Sequence, residues 1–254
     1  LIKSISGFRG TINGDSAPYL CDNEIIKCVK QFAYWLIKDK TLHDITIVIG
    51  RDGRKSGEHI INLISETLIN IGVCVLNLDL TTTPSVQVAI IHEKCAAGIM
   101  VSASHNPSNW NGLKLLNSKG EFLSKKEGEE VFDFDFPSIQ KTNCLGLMRH
   151  MDYLSKHIEL VLQLDDVDVK SIKKRGFKIV VDGINSSGGV YVPYLLKKIG
   201  VTTIDLNCIP DGNFAHHPEP IPNNLTDLSN KVKSFGADLG IAVDPDVDRL
   251  VLVC

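Results

Sequence analysis

The sequence predicts an α/β protein in which one strand-and-helix plan runs twice. Short β-branched runs such as ITIVI and FKIVV alternate with amphipathic stretches of helical period. The alternation restarts after an irregular stretch near residue 140. In each round the third strand ends abruptly in a polar loop, which in layered α/β sheets is where ligands sit.

Near the amino terminus, ISGFRGT sets Arg9 in a glycine-flanked turn. Such an arginine is either simply solvated or placed to reach a phosphate without steric obstruction. Residues 22–38 read as a helix with Ile25, Ile26, Val29, Phe32, Ala33, Leu36 and Ile37 on one stripe and Asp22 as N-cap. A strand over 45–49 leads into GRDGRKSG, where Arg51 and Asp52 are expected to pair and stiffen the turn. A helix over 58–70 and a strand over 73–78 follow. Thr81-Thr82-Thr83-Pro84 then places proline at the start of a helix over 85–94.

The third strand, 98–101, delivers the loop SASHNPSNWNG. Asn106-Pro107 and Asn111-Gly112 are turn dipeptides, so the strand stops and presents Ser104 and His105 at its carboxyl end. Adjacent side chains on extended backbone point to opposite sides, which argues against His105 deprotonating Ser104 in a hydrolytic pair. Taken alone, such a string is more often a capped polar turn without chemistry. Residues 113–116 and 121–123 flank a hairpin turn at 117–120, with Lys114 on its first strand near the serine loop. A helix over 125–132 gives way to an irregular connection at 134–144.

The second round begins with a helix over 152–164 and a basic run at 170–175, read as a solvated loop. A strand at 178–181 opens DGINSSGG, which matches neither the dinucleotide nor the P-loop glycine spacing and is read as a tight turn into a helix ending near Lys198. A strand at 201–206 precedes a long proline-rich loop. There His216 and His217 are either metal ligands or parts of a rigid surface segment. A helix over 226–235 and a strand over 239–243 then deliver Asp244, Asp246 and Asp248, alternating so that extended backbone projects all three from one side. Three such carboxylates repel and call for a cation, and all-oxygen ligands favour a hard ion such as Mg2+. Arg249 adds a guanidinium suited to phosphate. An EF-hand is excluded, because glycine is required where Arg249 stands. A haloacid-dehalogenase-type phosphatase, with Asp244 as nucleophile and Asp246 as acid/base, stays open on these residues, as does a non-catalytic Mg2+ or phosphate-binding module.

With 254 residues, 43% hydrophobic, and a formal charge of −3, the chain has ample core and no bias towards nucleic acid or an anionic membrane. No apolar stretch has the length of a membrane span. Seven cysteines, odd in number and without C-x-x-C spacing, fit reduced thiols in a cytoplasmic protein. A first residue of leucine and a last run of LVLVC lead us to expect a piece of a longer protein.

SASHNP followed by NGLK, with DPDVDR one domain later, resembles the α-D-phosphohexomutases, the family of phosphoglucomutase, phosphomannomutase and phosphoglucosamine mutase. SGFRGT, GRDGRKSG, TTTP, PDGNFAHHPEP and ADLGIAVDPDVDR match in the family's order. The resemblance implies two consecutive three-layer α/β/α domains with mixed, mostly parallel sheets, spanning 1–140 and 141–254, the first two of four; the third and fourth would be the missing partners. It implies that Ser104 is the phosphorylated serine and, with Asp244, Asp246 and Asp248, binds Mg2+. It further implies that Arg9 and Arg249 contact phosphate, that Lys114 or His105 moves the sugar-hydroxyl proton, and that the substrate is a hexose phosphate with a hexose 1,6-bisphosphate as activator. Lys114 is favoured for the proton, on the expectation that nearby cations lower its pKa. Pro245 stands where the family's metal loop has glycine.

Overall fold

The computed structural model describes residues 2–4, 7–12, 18–37, 45–135 and 145–254. Ile5, Ser6, Lys38, Cys144 and most of the expected interdomain connection, with its division at 140, lie outside the described residues.

Along the chain, β1 (Ile2–Ser4), β2 (Gly7–Thr11), α1 (Asp22–Leu36), β3 (Thr46–Arg51), α2 (Gly57–Asn70), β4 (Cys74–Leu80), α3 (Thr83–His92), β5 (Ala97–Val101), β6 (Trp110–Leu116), α4 (Lys125–Phe132) and β7 (Met148–His150) build the first layered unit. The second comprises α5 (Leu154–Leu162), α6 (Val169–Arg175), β8 (Lys178–Asp182), α7 (Gly188–Lys198), β9 (Thr202–Leu206), the 3-10 turn Pro222–Asn224, α8 (Thr226–Phe235), β10 (Leu239–Val243) and β11 (Leu250–Val253).

The first sheet has the order β1-β2-β6-β5-β3-β4-β7 and the second β11-β10-β8-β9. Around β3 and β4 the first sheet is parallel, whereas β6 runs antiparallel to both β2 and β5. In the second, β8 is parallel to β9 and β10, and β11 returns antiparallel. The sheets are thus mixed, with parallel centres, as α/β/α layering requires.

Every residue of β5 is buried because helices cover both faces of its sheet. Ala97, Ile99 and Val101 join the core under α1 and α2, and Met100 joins the one under α3. The second sheet is likewise sandwiched, with Leu196 of α7 on one face and Leu228 and Val232 of α8 on the other. The carboxyl ends of β5 and β10 supply the two loops described below.

Several local expectations change. Cys21, not Asp22, occupies the N-cap of α1, and Asp22 is its first helical residue. Residues 170–175 are helical, because Asp168 caps α6 by accepting from the backbone N–H groups of Lys170 and Ser171 at 3.1 Å, and three cations in its last turn suit the carboxyl end. Arg51 pairs with Asp79 at 2.7 Å, while Asp52 takes Arg54 at 3.1 Å, so the predicted Arg51–Asp52 pair does not form. The hairpin at 117–120 closes through the single bridge Leu116–Phe122. The six described cysteines are free, and no described helix is long and apolar enough to cross a membrane.

Candidate functional site

The site forms where the loop after β5 meets the loop between β10 and β11. Beyond Val101 the chain leaves the sheet, and Ser104 adopts a left-handed conformation, φ 50°. It is therefore not on extended backbone, as the sequence argument assumed. Its hydroxyl donates to Asp244 Oδ2 at 2.9 Å, not to His105. The serine of one unit and an aspartate of the other thus touch directly.

The three aspartates do not alternate along a strand. β10 stops at Val243 and a turn follows, closed by the Val247 N–H donating to the Asp244 carbonyl at 3.1 Å, with Val247 at φ 63°. The turn, not strand alternation, brings the three carboxylates together. Asp244 Oδ1 accepts from the N–H groups of Asp248 and Arg249, both at 3.1 Å. Asp244 and Asp246 are fully buried, and Asp248 lies at the exposed rim.

Lys114 reaches this trio from β6, where it pairs in register with Met100 of β5. Its ammonium donates to Asp246 Oδ2 at 2.5 Å and to Asp248 Oδ2 at 2.7 Å. Burial works to lower the Lys114 pKa, but the two carboxylates outweigh it and raise it above the usual lysine range. That overturns the expectation of a lysine depressed by nearby cations: its immediate neighbours are anions. Burial alone would also raise Asp248, yet Lys114 holds it below the usual range. Burial, then the charges of Asp246 and Asp248, push the Asp244 carboxyl up to about 8.

One carboxylate oxygen from each aspartate falls within a 4.8 Å cluster. Asp246 Oδ1 is buried and has no hydrogen-bond partner among the described residues. An orphaned anionic oxygen beside two more carboxylates, with oxygen as the only donor type, suits a hard divalent cation. The residues fit such an ion.

Beside the trio lies a cavity of about 190 Å³ whose lining includes Arg9, Ser104, His105, Lys114, Asp248 and Arg249. Arg9 sits on β2, and its Nε is buried without a partner among the described residues, as is His105 Nδ1. Burial and then the charge of Arg249, with a further push from Arg9, lower the His105 pKa. Arg249 stands at the rim, 3.8 Å from Glu219. Ser104 and His105 from one polar loop and Asp248 and Arg249 from the other therefore line one cavity, with Asp244 and Asp246 buried behind it.

His216 is not part of it. Its Nε2 meets Asp182 at 3.0 Å, tying the proline-rich loop to the end of β8. DGINSSGG is a tight turn, with Ile184 and Asn185 at positive φ. Thr83 went unnoticed in the sequence: its hydroxyl donates to Asp246 Oδ2 and its N–H donates to the Asp246 carbonyl at 2.9 Å. The available signal was TTTP at a strand-to-helix junction, which read as helix-start chemistry and as one motif in the family's order, with no contact to the aspartates implied.

Two family models match the chain: phosphoglucomutase/phosphomannomutase alpha/beta/alpha domain I over residues 2–134, and domain II over residues 152–254. A phosphoglucomutase/phosphomannomutase of Thermococcus kodakarensis is 36% identical over 251 residues, covering 97% of this chain and 54% of that protein. A phosphomannomutase/phosphoglucomutase of Pseudomonas putida is 36% identical over 213 residues, covering 82% and 43%. Among solved structures, a phosphoglucomutase/phosphomannomutase family protein from Burkholderia thailandensis superposes with a TM-score of 0.81 at 26% identity, over 99% of this chain and 55% of that one. The chain spans about half the length of the curated relatives it matches. With both domain models accounting for nearly all of its residues in the order the motifs predicted, the chain belongs to the phosphoglucomutase/phosphomannomutase family, whose domains I and II it contains.

Proposed function

We propose that this chain carries the phosphoryl-transfer half of a phosphohexomutase, an enzyme that interconverts hexose 1-phosphates and 6-phosphates through a phosphoserine and a hexose 1,6-bisphosphate. The observation that carries this reading is the 2.9 Å contact between Ser104 Oγ and Asp244 Oδ2. It puts a nucleophilic hydroxyl against an acidic trio fitted to a divalent cation.

In this reading Ser104 holds the phosphoryl group and gives it to a sugar hydroxyl; after the bisphosphate turns over, Ser104 takes the other phosphoryl group back. Asp244, Asp246 and Asp248, with the phosphorylated Ser104, hold Mg2+. When bound, that ion supplies charge neutralisation for the transferring phosphoryl oxygens. Arg9 and Arg249 add charge-assisted hydrogen bonds to the same anion. Lys114, already engaged by two carboxylates, acts as a fixed cation beside the transferring group. His105, whose side chain lines the cavity, accepts the sugar-hydroxyl proton in this reading.

Asp244 is poorly disposed to be a phosphatase-like nucleophile. One of its oxygens accepts two backbone N–H groups and the other accepts Ser104. The reading places the protein in the cytoplasm, divides the chain near residue 140 with β7 beyond that point returning to the edge of the first sheet, and assigns sugar selection and grip on the non-transferred phosphate to domains III and IV of the longer relatives. The 254-residue chain alone is accordingly expected to turn over hexose phosphate slowly or not at all.

Intact-mass measurement after incubation with Mg2+ and a hexose 1,6-bisphosphate tests this. One phosphoryl increment is expected, lost in Ser104→Ala. An increment that persists in Ser104→Ala, or robust mutase turnover by this chain alone, contradicts the reading.

A further inference from the structure

We infer that Arg54 is the positioning residue that shapes the Ser104 loop, spending both Nη groups on backbone carbonyls and Nε on Asp52, and leaving no N–H for a ligand. Its side chain is fully buried. Nη2 donates to the carbonyls of Ser104 at 2.6 Å and Asn106 at 2.8 Å. Nη1 donates to the carbonyls of Pro107 at 2.5 Å and Trp110 at 2.9 Å. Nε donates to Asp52 Oδ2 at 3.1 Å. Each of the five guanidinium N–H groups therefore has an acceptor.

Those five bonds matter because the loop's other ties to the protein are few, among them Ile12 N–H to the Asn109 carbonyl at 2.8 Å and Ser102 N–H to the Gly112 carbonyl at 3.0 Å. Between Ser102 and Trp110 its own backbone bonds are Asn106 N–H to the Ala103 carbonyl and Trp110 N–H to the Pro107 carbonyl. Carbonyls turned into the protein need donors, and a planar fork can serve four at fixed angles. A lysine ammonium, a single point with three donors, cannot. The same unit also fixes the unusual backbone of Ser104. Asp52 Oδ2 accepts from the Ser102 hydroxyl at 2.8 Å, and that hydroxyl oxygen accepts from the Ser104 N–H at 2.8 Å. Ser104 is thereby gripped at its N–H through Asp52 and at its carbonyl by Arg54.

The residue between them reaches the other loop. The Gly53 N–H donates to Ser186 Oγ at 2.8 Å, and Ser186 Oγ donates to the Pro245 carbonyl at 2.6 Å, inside the aspartate turn. Three consecutive residues, Asp52, Gly53 and Arg54, thus connect to both sides of the Ser104–Asp244 contact. The segment sets the separation of the two reacting halves.

This role rests on the phosphoserine reading, and the test separates the two. The Arg54→Lys variant of the 254-residue chain is compared with wild type in amide hydrogen exchange and in phosphoryl uptake from a hexose 1,6-bisphosphate, followed by intact mass. Exchange across 102–110 is expected to rise about tenfold or more, with protection of β3 and β8 retained. The maximal rate of uptake should fall roughly 100-fold, with the half-saturating bisphosphate concentration unchanged. Wild-type exchange and uptake overturn the proposal, as does a raised half-saturating concentration at unchanged maximal rate, which marks a substrate contact. Should Arg54→Lys not fold, Ser102→Ala removes only the hydroxyl between Asp52 and the Ser104 N–H and is read by the same two measurements. If wild type takes up no phosphoryl group, the phosphoserine reading fails, and the exchange result still decides whether Arg54 shapes the loop.

Discussion

Thr83 holds Asp246 from two directions: its hydroxyl donates to the carboxylate and its backbone N–H donates to the Asp246 carbonyl at 2.9 Å. Both residues are buried, and they belong to different units. The start of α3 is therefore part of the wall behind the acidic trio. Thr83→Val keeps the shape and deletes the hydroxyl, and a charge-assisted buried bond contributes about 1.5–3 kcal/mol. We expect a loss of that size in urea unfolding, together with weaker Mn2+ binding by electron paramagnetic resonance. A stability within error of wild type would show the bond to be immaterial.

Lys114 neutralises two carboxylates from a nearly buried position. Lys114→Met leaves those charges facing each other, and removing one partner of a buried ion pair costs about 3–5 kcal/mol. A divalent cation held by the assembled trio would restore part of the loss by mass action, so Mg2+ is expected to narrow it. Denaturation with and without Mg2+ reads this directly. An equal loss under both conditions would mean the lysine and the cation do not act on the same charges.

His216 links the proline-rich loop to β8, and its bond to Asp182 raises its pKa against the opposing effect of burial. A histidine raised in the folded state stabilises fully below its unfolded value, about 6.5, and loses that contribution as pH climbs through the higher folded value. The stability gap between wild type and His216→Gln should therefore be widest on the acid side and narrow as pH rises. Thermal melts across that range check the trend. A gap that widens towards alkaline pH contradicts it.

Gly212 and Gly236 both have positive φ, 72° and 55°, but a Cβ on Gly212 would come 2.4 Å from the Gly53 carbonyl oxygen while one on Gly236 meets open space. Alanine at Gly236 isolates the backbone penalty, about 1–3 kcal/mol. Gly212→Ala adds a collision between the two units where Gly53 approaches the second loop. We expect Gly212→Ala to be clearly the more destabilising in chemical denaturation, and equal losses would refute the close approach.

Elements with strong local patterns were legible from residues alone. The helices over 125–132 and 226–235 and the strand over 239–243 stand where period and caps place them. Both polar loops were legible too, because Asn106-Pro107 and the run of aspartates interrupt apolar strands. The basic run at 170–175 was misread, since its helix depends on a cap from Asp168 and not on an apolar stripe.

Residue order by itself determined the repeated α/β plan, the polar and acidic make-up of its two loops and the identity of their charged groups. Tertiary structure decided who touches whom: Lys114 with Asp246 across 132 positions, Thr83 with Asp246 across 163, and Arg54 with the carbonyls of the serine loop about 50 positions away. Proton affinities followed from those contacts, since charge interactions scale with separation and surrounding polarity, and neither can be read along a chain. The lysine expected among cations was found among anions, and its proton is held more tightly as a result.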